Sequence, residues 1–233
     1  MQRYWQQITV PEMGLQGQQK IKDARVLIAG AGGLGTPVAT YLAAAGVGSI
    51  GLIDGDVINV SNLHRQFHFS EKESGLPKVT VLAKRLIEQN PEVSVHIIES
   101  YIDDSNAASV IGSYDVVCDC TDNSSARIII NNACRSVSKP LVYAAVKGWE
   151  GYITVLHHTK KKSLENIFSI HELEDTVLLD CANFGIINTT CGISGCIQAN
   201  EALKIIAGIH SELDGSILCF NSLGPVFKNF VLQ

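Results

Sequence analysis

None of the seven cysteines, at 118, 120, 134, 181, 191, 196 and 219, forms a C-x-x-C pair with another. The usual scaffold of a structural zinc ion is therefore missing, and zinc is not expected. The odd count, in a chain whose Met1 is followed by polar residues instead of an apolar leader, argues against a disulfide framework and makes the cytoplasm the expected compartment. Cys118 falls in a strand-like run and Cys134, Cys191 and Cys196 in helix-like stretches, where buried thiols are common. Charge is sparse, at 18% of residues with a net value of −5, and the only basic run is Lys160, Lys161 and Lys162. A broad nucleic-acid-binding surface is excluded. No apolar stretch reaches membrane-spanning length without interruption. No G-x-x-x-x-G-K-[ST] occurs, so the chain is not a P-loop ATPase.

What is present centres on residues 25–66. The run Val26 to Ala29 ends in Gly30, Gly32, Gly33 and Gly35, and 33–46 reads as a helix of small residues. Strand, glycine turn and helix open a nucleotide-binding βαβ unit. Gly30 can take a tight turn, and Gly32 and Gly33 let the backbone approach a phosphate. The helix N-terminus then offers N–H groups and a positive dipole end to an anion. A second apolar run, Ser49 to Ile53, ends in Asp54, 24 positions after Gly30, which is close to the spacing of a ribose-binding acid.

The rest of the chain alternates. Residues 1–24 read as an amphipathic arm and 55–75 as a long connection. Helices are expected from Pro77 to about Asn90, at 104–112, 123–138 and 189–208. Strands are expected at 93–98, 115–120, 141–146 and 151–158, and 216–221 with 226–232 should form a closing hairpin around Gly224-Pro225. Residues 159–183 lack clear periodicity and read as a mobile crossover loop. With 233 residues, 46% of them apolar, the chain suits one core and not two full-sized domains. The expected fold is a single α/β domain over 1–233. It is a Rossmann-like nucleotide-binding unit with a mixed, mainly parallel sheet and antiparallel C-terminal strands.

Asn62, Arg65 and Gln66 follow the ribose acid, and Lys78 opens the next helix. Two cations and two amides beside a phosphate turn suit a triphosphate better than a dinucleotide. Asp122, just past the fourth strand, stands where a carboxylate beside a triphosphate can bind Mg²⁺. Taken singly, Arg65 and Lys78 are surface charges, Asp54 closes a strand, and Asp122 caps the 123–138 helix.

The ordered strings RY, GQQKIKDARVLIAGAGGLGTP, YLAAAGVGSIGLIDGD, SNLHRQ, PKV, DCTDN with Arg127, and QANEALKIIAG resemble the ubiquitin-activating-enzyme-like superfamily, in its ThiF/MoeB/HesA branch. The resemblance implies ATP-dependent adenylation of the C-terminal glycine carboxylate of a small ubiquitin-like sulfur carrier ending in Gly-Gly. It also implies a homodimer that acts without nucleic acid or membrane. It assigns Asp54 to the ribose, with Asp56 beside it in the same string. Asn62, Arg65, Gln66 and Lys78 go to the phosphates, Asp122 to Mg²⁺ and the orientation of attack, and Cys181 to linkage with the carrier or sulfur transfer. The short zinc-free chain and VKGWEG look more like the thiamine-pathway members than the molybdopterin-pathway ones. One departure stands out. The family's R-Y-x-R-Q, whose second Arg reaches the partner subunit's ATP, is RYWQQ here, with Gln6 at that place. An amide cannot replace a guanidinium's charge. A nucleotide- and carrier-binding module without catalysis is the competing reading, and an NAD(P)-dependent oxidoreductase a more distant one.

Overall fold

The computed structural model describes residues 2–168 and 185–232. Strands β1 (Arg25–Ala29), β2 (Ser49–Ile53), β3 (Ser94–Ile98), β4 (Val116–Asp119), β5 (Leu141–Lys147), β6 (Glu150–Leu156), β7 (Ser216–Asn221) and β8 (Val226–Val231) form one sheet in the order β3-β2-β1-β4-β5-β6-β7-β8. Pairings from β3 to β5 are parallel and those from β5 to β8 antiparallel, as expected for a mixed sheet. Central parallel strands are covered on both faces, so they read as unbroken apolar runs; Val26 to Ala29 and Val116 to Asp119 are buried throughout.

Helices α1 (Trp5–Ile8), α2 (Gly14–Asp23), α3 (Gly35–Ala45), α4 (Lys78–Gln89), α5 (Ala107–Gly112), α6 (Ser124–Ser136) and α7 (Asn188–Ala207) complete the described fold. Two apolar clusters flank the sheet. One takes in α3, α4 and part of α7, the other α5 and α6. α7 is long because nothing in its run of small and apolar residues breaks it until Gly208, which ends it at φ +78°. No described helix is long and apolar enough to cross a membrane.

One expectation is sharpened and two change. The segment read as an amphipathic arm, described from residue 2, packs on the domain through part of its surface. Ile21 is fully buried, Gln18 Nε2 donates to the Ala45 carbonyl at 3.0 Å, and the Tyr4 ring packs where a Cβ on Gly46 would fall. Pro77 stands at the N-cap of α4, one residue before the helix, where its extended ψ of 130° leads the chain in and its missing N–H costs no intrahelical bond. Asp122 does not cap α6: Asn123 Oδ1 accepts the Ala126 N–H at 2.9 Å and takes that role.

Of the loop 159–183, residues 159–168 are described. Thr159 and Lys160 bind the Asp214 carboxylate, and 164–166 form a 3-10 turn braced by Arg135–Glu165 at 2.9 Å. The remainder, with Cys181, lies outside the described residues.

Candidate functional site

A cleft of about 780 Å³ opens at the carboxyl ends of β1, β2 and β4. β1 lies between β2 and β4, so the crossovers diverge there, and such a switch point is where open α/β sheets bind ligands.

The glycine turn forms the floor. Gly30 has φ +96°, and a Cβ on it would lie 2.7 Å from the Cys120 carbonyl oxygen. Only glycine fits both the conformation and the space. Gly32 and Gly33 face the cleft. A Cβ on Gly33 would meet Cys191 Sγ and the Arg65 stem, each at 3.2 Å. Gly35 does not line the cleft. It opens α3 against the Gly30 carbonyl, which leaves no room for a side chain.

Asp54 ties this turn to β2. Its Oδ2 accepts the Ala31 N–H and its Oδ1 the Asp56 N–H, both at 2.7 Å. Burial pushes its carboxyl above the usual range, against the pull of Lys78 and the two N–H donors. Asp56 lies next to it and pairs with Lys78 Nζ at 2.7 Å. Burial works to raise Asp56 as well, but hydrogen bonds from Lys78 and Tyr101 outweigh it and hold the carboxyl below its ordinary range. Lys78, the first residue of α4, is only 4% exposed and faces the cleft.

Arg65 and Gln66 come from the turn after Asn62, whose carbonyl accepts both backbone N–H groups at 3.1 and 3.0 Å. The Arg65 guanidinium has no ion-pair partner among the described residues. Gln66 is 2% exposed, and its Oε1 has no hydrogen-bond partner there either. Asn62 itself is set back from the cleft. Asp122 lines the opposite wall, exposed and free of capping duty.

Gly30, Gly32, Gly33, Asp54, Asp56, Arg65, Gln66, Lys78 and Asp122 are thus brought together around one cavity. Sequence reasoning missed other lining groups. Tyr101, after β3, donates its hydroxyl to Asp56 Oδ1 at 2.6 Å. Arg127, named only within a family string, is 1% exposed and donates to the Thr121 carbonyl at 2.9 Å and to Tyr143 Oη at 2.6 Å. Below it Asp119 is fully buried, its Oδ1 accepting from Thr121 while its Oδ2 has no hydrogen-bond partner among the described residues; burial raises its carboxyl. Ile53, Ile102, Ala126 and Ile129 supply an apolar stretch of wall. No sequence signal marks Arg127 as buried, since a lone Arg in an amphipathic helix pattern reads as a surface charge.

The arrangement suits a nucleotide. It has a bare glycine floor, an apolar patch, an acid placed for a sugar hydroxyl, and two cations for phosphates. Among the described residues no group of three or more His, Cys, Asp or Glu gathers as a metal cluster.

Comparison with known proteins identifies relatives and similar folds. The probable molybdopterin-synthase adenylyltransferase of Porphyra purpurea is 36% identical over 228 residues, covering 98% of this chain and 60% of that protein. The adenylyltransferase and sulfurtransferase MOCS3 of Sus scrofa is 41% identical over 231 residues, covering 99% of this chain and 50% of that protein. The chain spans between half and three-fifths of the length of these relatives. Among solved structures, E. coli MccB with succinimide superposes with a TM-score of 0.87 at 22% identity, over 99% of this chain and 71% of that one. MccB with AMPCPP and MccA gives a TM-score of 0.82 at 24% identity, over 94% and 66%. These two likenesses show the shared α/β fold. The ThiF family matches residues 4–233, nearly end to end, and the chain belongs to that family.

Proposed function

We propose that this protein is an ATP-dependent adenylyltransferase acting on the C-terminal glycine carboxylate of a small ubiquitin-like sulfur carrier. The observation that carries the reading is the convergence of Arg65, without an ion-pair partner among the described residues, and buried Lys78 on the glycine turn and Asp54. Two cations held on a phosphate-shaped floor are what the chemistry requires. The carrier carboxylate attacks the α-phosphorus of ATP, the bond to the bridging oxygen breaks, and pyrophosphate leaves as a mixed anhydride forms. Carboxylate and triphosphate repel each other, and Arg65 and Lys78 offset that repulsion and the charge that develops on the phosphates. Asp54 keeps lone pairs for a ribose hydroxyl beyond its two N–H bonds.

Asp122 is an exposed carboxylate on the cleft wall. Its lack of a capping or ion-pair partner among the described residues fits Mg²⁺, which binds one or two protein carboxylates plus substrate phosphates. Such an ion, when bound, supplies further charge neutralisation.

The name of the Porphyra relative favours the molybdopterin-pathway carrier over the thiamine-pathway one. Carrier-dependent ATP–pyrophosphate exchange tests the reaction, run with each of the two carriers. Exchange lost in Arg65→Ala and in Asp122→Ala with the fold retained supports it; near-wild-type exchange in both refutes these roles. We also propose a homodimer, to be checked by sedimentation at twice the 25.1 kDa chain mass. Cys181→Ser is expected to spare exchange and impair later sulfur transfer.

One observation favours the non-catalytic binding module. Gln6 is exposed, and Arg3, the nearest substitute, donates Nη1 to the Gln89 carbonyl at the end of α4. ATP and carrier binding without pyrophosphate exchange would establish that reading instead.

A further inference from the structure

Tyr101 stands outside every motif quoted above, and it is 64% exposed. A surface tyrosine ordinarily satisfies its hydroxyl with water. Here the side chain is fixed from two sides. Its Oη donates to Asp56 Oδ1 at 2.6 Å, bridging the segment after β3 to the segment after β2. Its ring rests against the bare backbone of Gly55, where a Cβ would lie 2.8 Å from Cδ2 and from Cε2. The other oxygen of Asp56 receives Lys78 Nζ at 2.7 Å, and the Asp56 N–H is held by Asp54. Both carboxylate oxygens are therefore occupied, one by a phenol and one by an ammonium. Tyr101, Asp56 and Lys78 all line the same cleft.

We propose that Tyr101 is a positioning residue of the nucleotide cleft: its hydroxyl fixes the Asp56 carboxylate, and that carboxylate in turn fixes the Lys78 ammonium facing the phosphates. The inference rests on the nucleotide reading given above. Asp56 is half-exposed, so its own surroundings do not hold it still. With one oxygen released, the carboxylate rotates and Lys78 loses a fixed acceptor. The charged and titratable groups facing Asp56 are Lys78 from α4, Asp54 from the end of β2 and Tyr101; Asp122, from beyond β4, acts on Tyr101 by its charge. Removing the phenol withdraws one of the two hydrogen bonds that hold the Asp56 carboxyl down.

Two variants separate the hydroxyl from the rest of the ring. Tyr101→Phe keeps the wall and removes the bond. Gly55→Ala keeps the tyrosine and displaces it. The Asp56 carboxylate is followed by ¹³C NMR titration, assigned with Asp56→Asn, and affinity for a non-hydrolysable ATP analogue is measured by calorimetry. The expected result is an Asp56 midpoint at higher pH in both variants, with affinity weakened about three- to tenfold, the scale of a neighbour's hydrogen bond partly transmitted. In pyrophosphate exchange the loss should lie in KM for ATP, with kcat within about twofold. A midpoint unchanged in both variants, while the wild-type protein binds the analogue, overturns the positioning role and leaves the nucleotide reading standing. A midpoint that moves in a protein binding no analogue supports the hydroxyl's hold on Asp56 and refutes the nucleotide reading.

Discussion

Replacing Lys78 by Met tests the site most directly, because structure and function should respond on different scales. Met preserves most of the buried stem and removes the ammonium, which is 4% exposed and lies 2.7 Å from Asp56 Oδ2. Asp56 itself is 47% exposed, so solvent screens the pair and it counts near the surface range. The stability loss should be about 0.5–1 kcal/mol, or roughly 1–4 °C in Tm for a domain of this size. The nucleotide loses far more. A charge-assisted bond to a phosphate is worth about 1.5–3 kcal/mol, so affinity for the triphosphate should fall about 10- to 150-fold. The pH dependence has a definite sign. The folded Asp56 carboxyl lies below its unfolded value, so the pair's stabilisation is complete above about pH 4 and fades as pH falls through the lower folded value. The stability gap between wild type and variant should therefore be full at neutral pH and narrow in acid. Thermal melts from neutral to acid pH, with calorimetric ATP titration, measure both scales. Affinity within about threefold of wild type, with an unchanged melt, would refute a phosphate-facing Lys78.

Three further outcomes follow from the packing. Gly35→Ala would drive a methyl into the Gly30 carbonyl, a backbone group that cannot swing aside; a loss of at least about 2–3 kcal/mol is expected, read by denaturant melts. Asn123→Ala removes the N-cap of α6 and should destabilise by about 0.5–2 kcal/mol in calorimetry. Native alkylation followed by mass spectrometry should spare Cys118, Cys120 and Cys134, whose thiols burial pushes far up, and should reach Cys196, which is only half-buried, before them.

The parallel half of the sheet was legible because its strands are short apolar runs bounded by glycine or acid, as with Val26 to Ala29 before Gly30. The turn residues and the place of Asp54 beside them were legible from spacing. Its acceptance of the Ala31 N–H was not, since that depends on how β1 and β2 pair. Tyr101 was invisible for a similar reason. Its partner is 45 residues away, and the two meet only through the register of β2 with β3. Asp122 and Asn123 are adjacent and both able to cap; the backbone turn decides between them, and composition does not. Buried Arg127 reads as a surface charge in an amphipathic helix until Thr121 and Tyr143 are seen around it. The N-terminal segment has the polarity of an arm, yet Tyr4, Ile8 and Ile21 are buried, while Trp5, Val10 and Leu15 stay exposed.

The central place of β1 has a consequence for folding. β1 must pair with β2, about 25 residues on, and with β4, about 90 residues on, where Arg25 N donates to the Asp115 carboxylate. The β5–β8 meander needs only neighbouring hairpins until α7 intervenes. Closing the long loop from β1 to β4 carries the larger entropic cost and slows folding. The glycine floor lies on one side of that seam and Asp122 on the other. Nucleotide-binding capacity should therefore appear in a single late kinetic phase during refolding, with the docking of β4, and chain made only as far as β3 would own a glycine turn that faces no opposing wall.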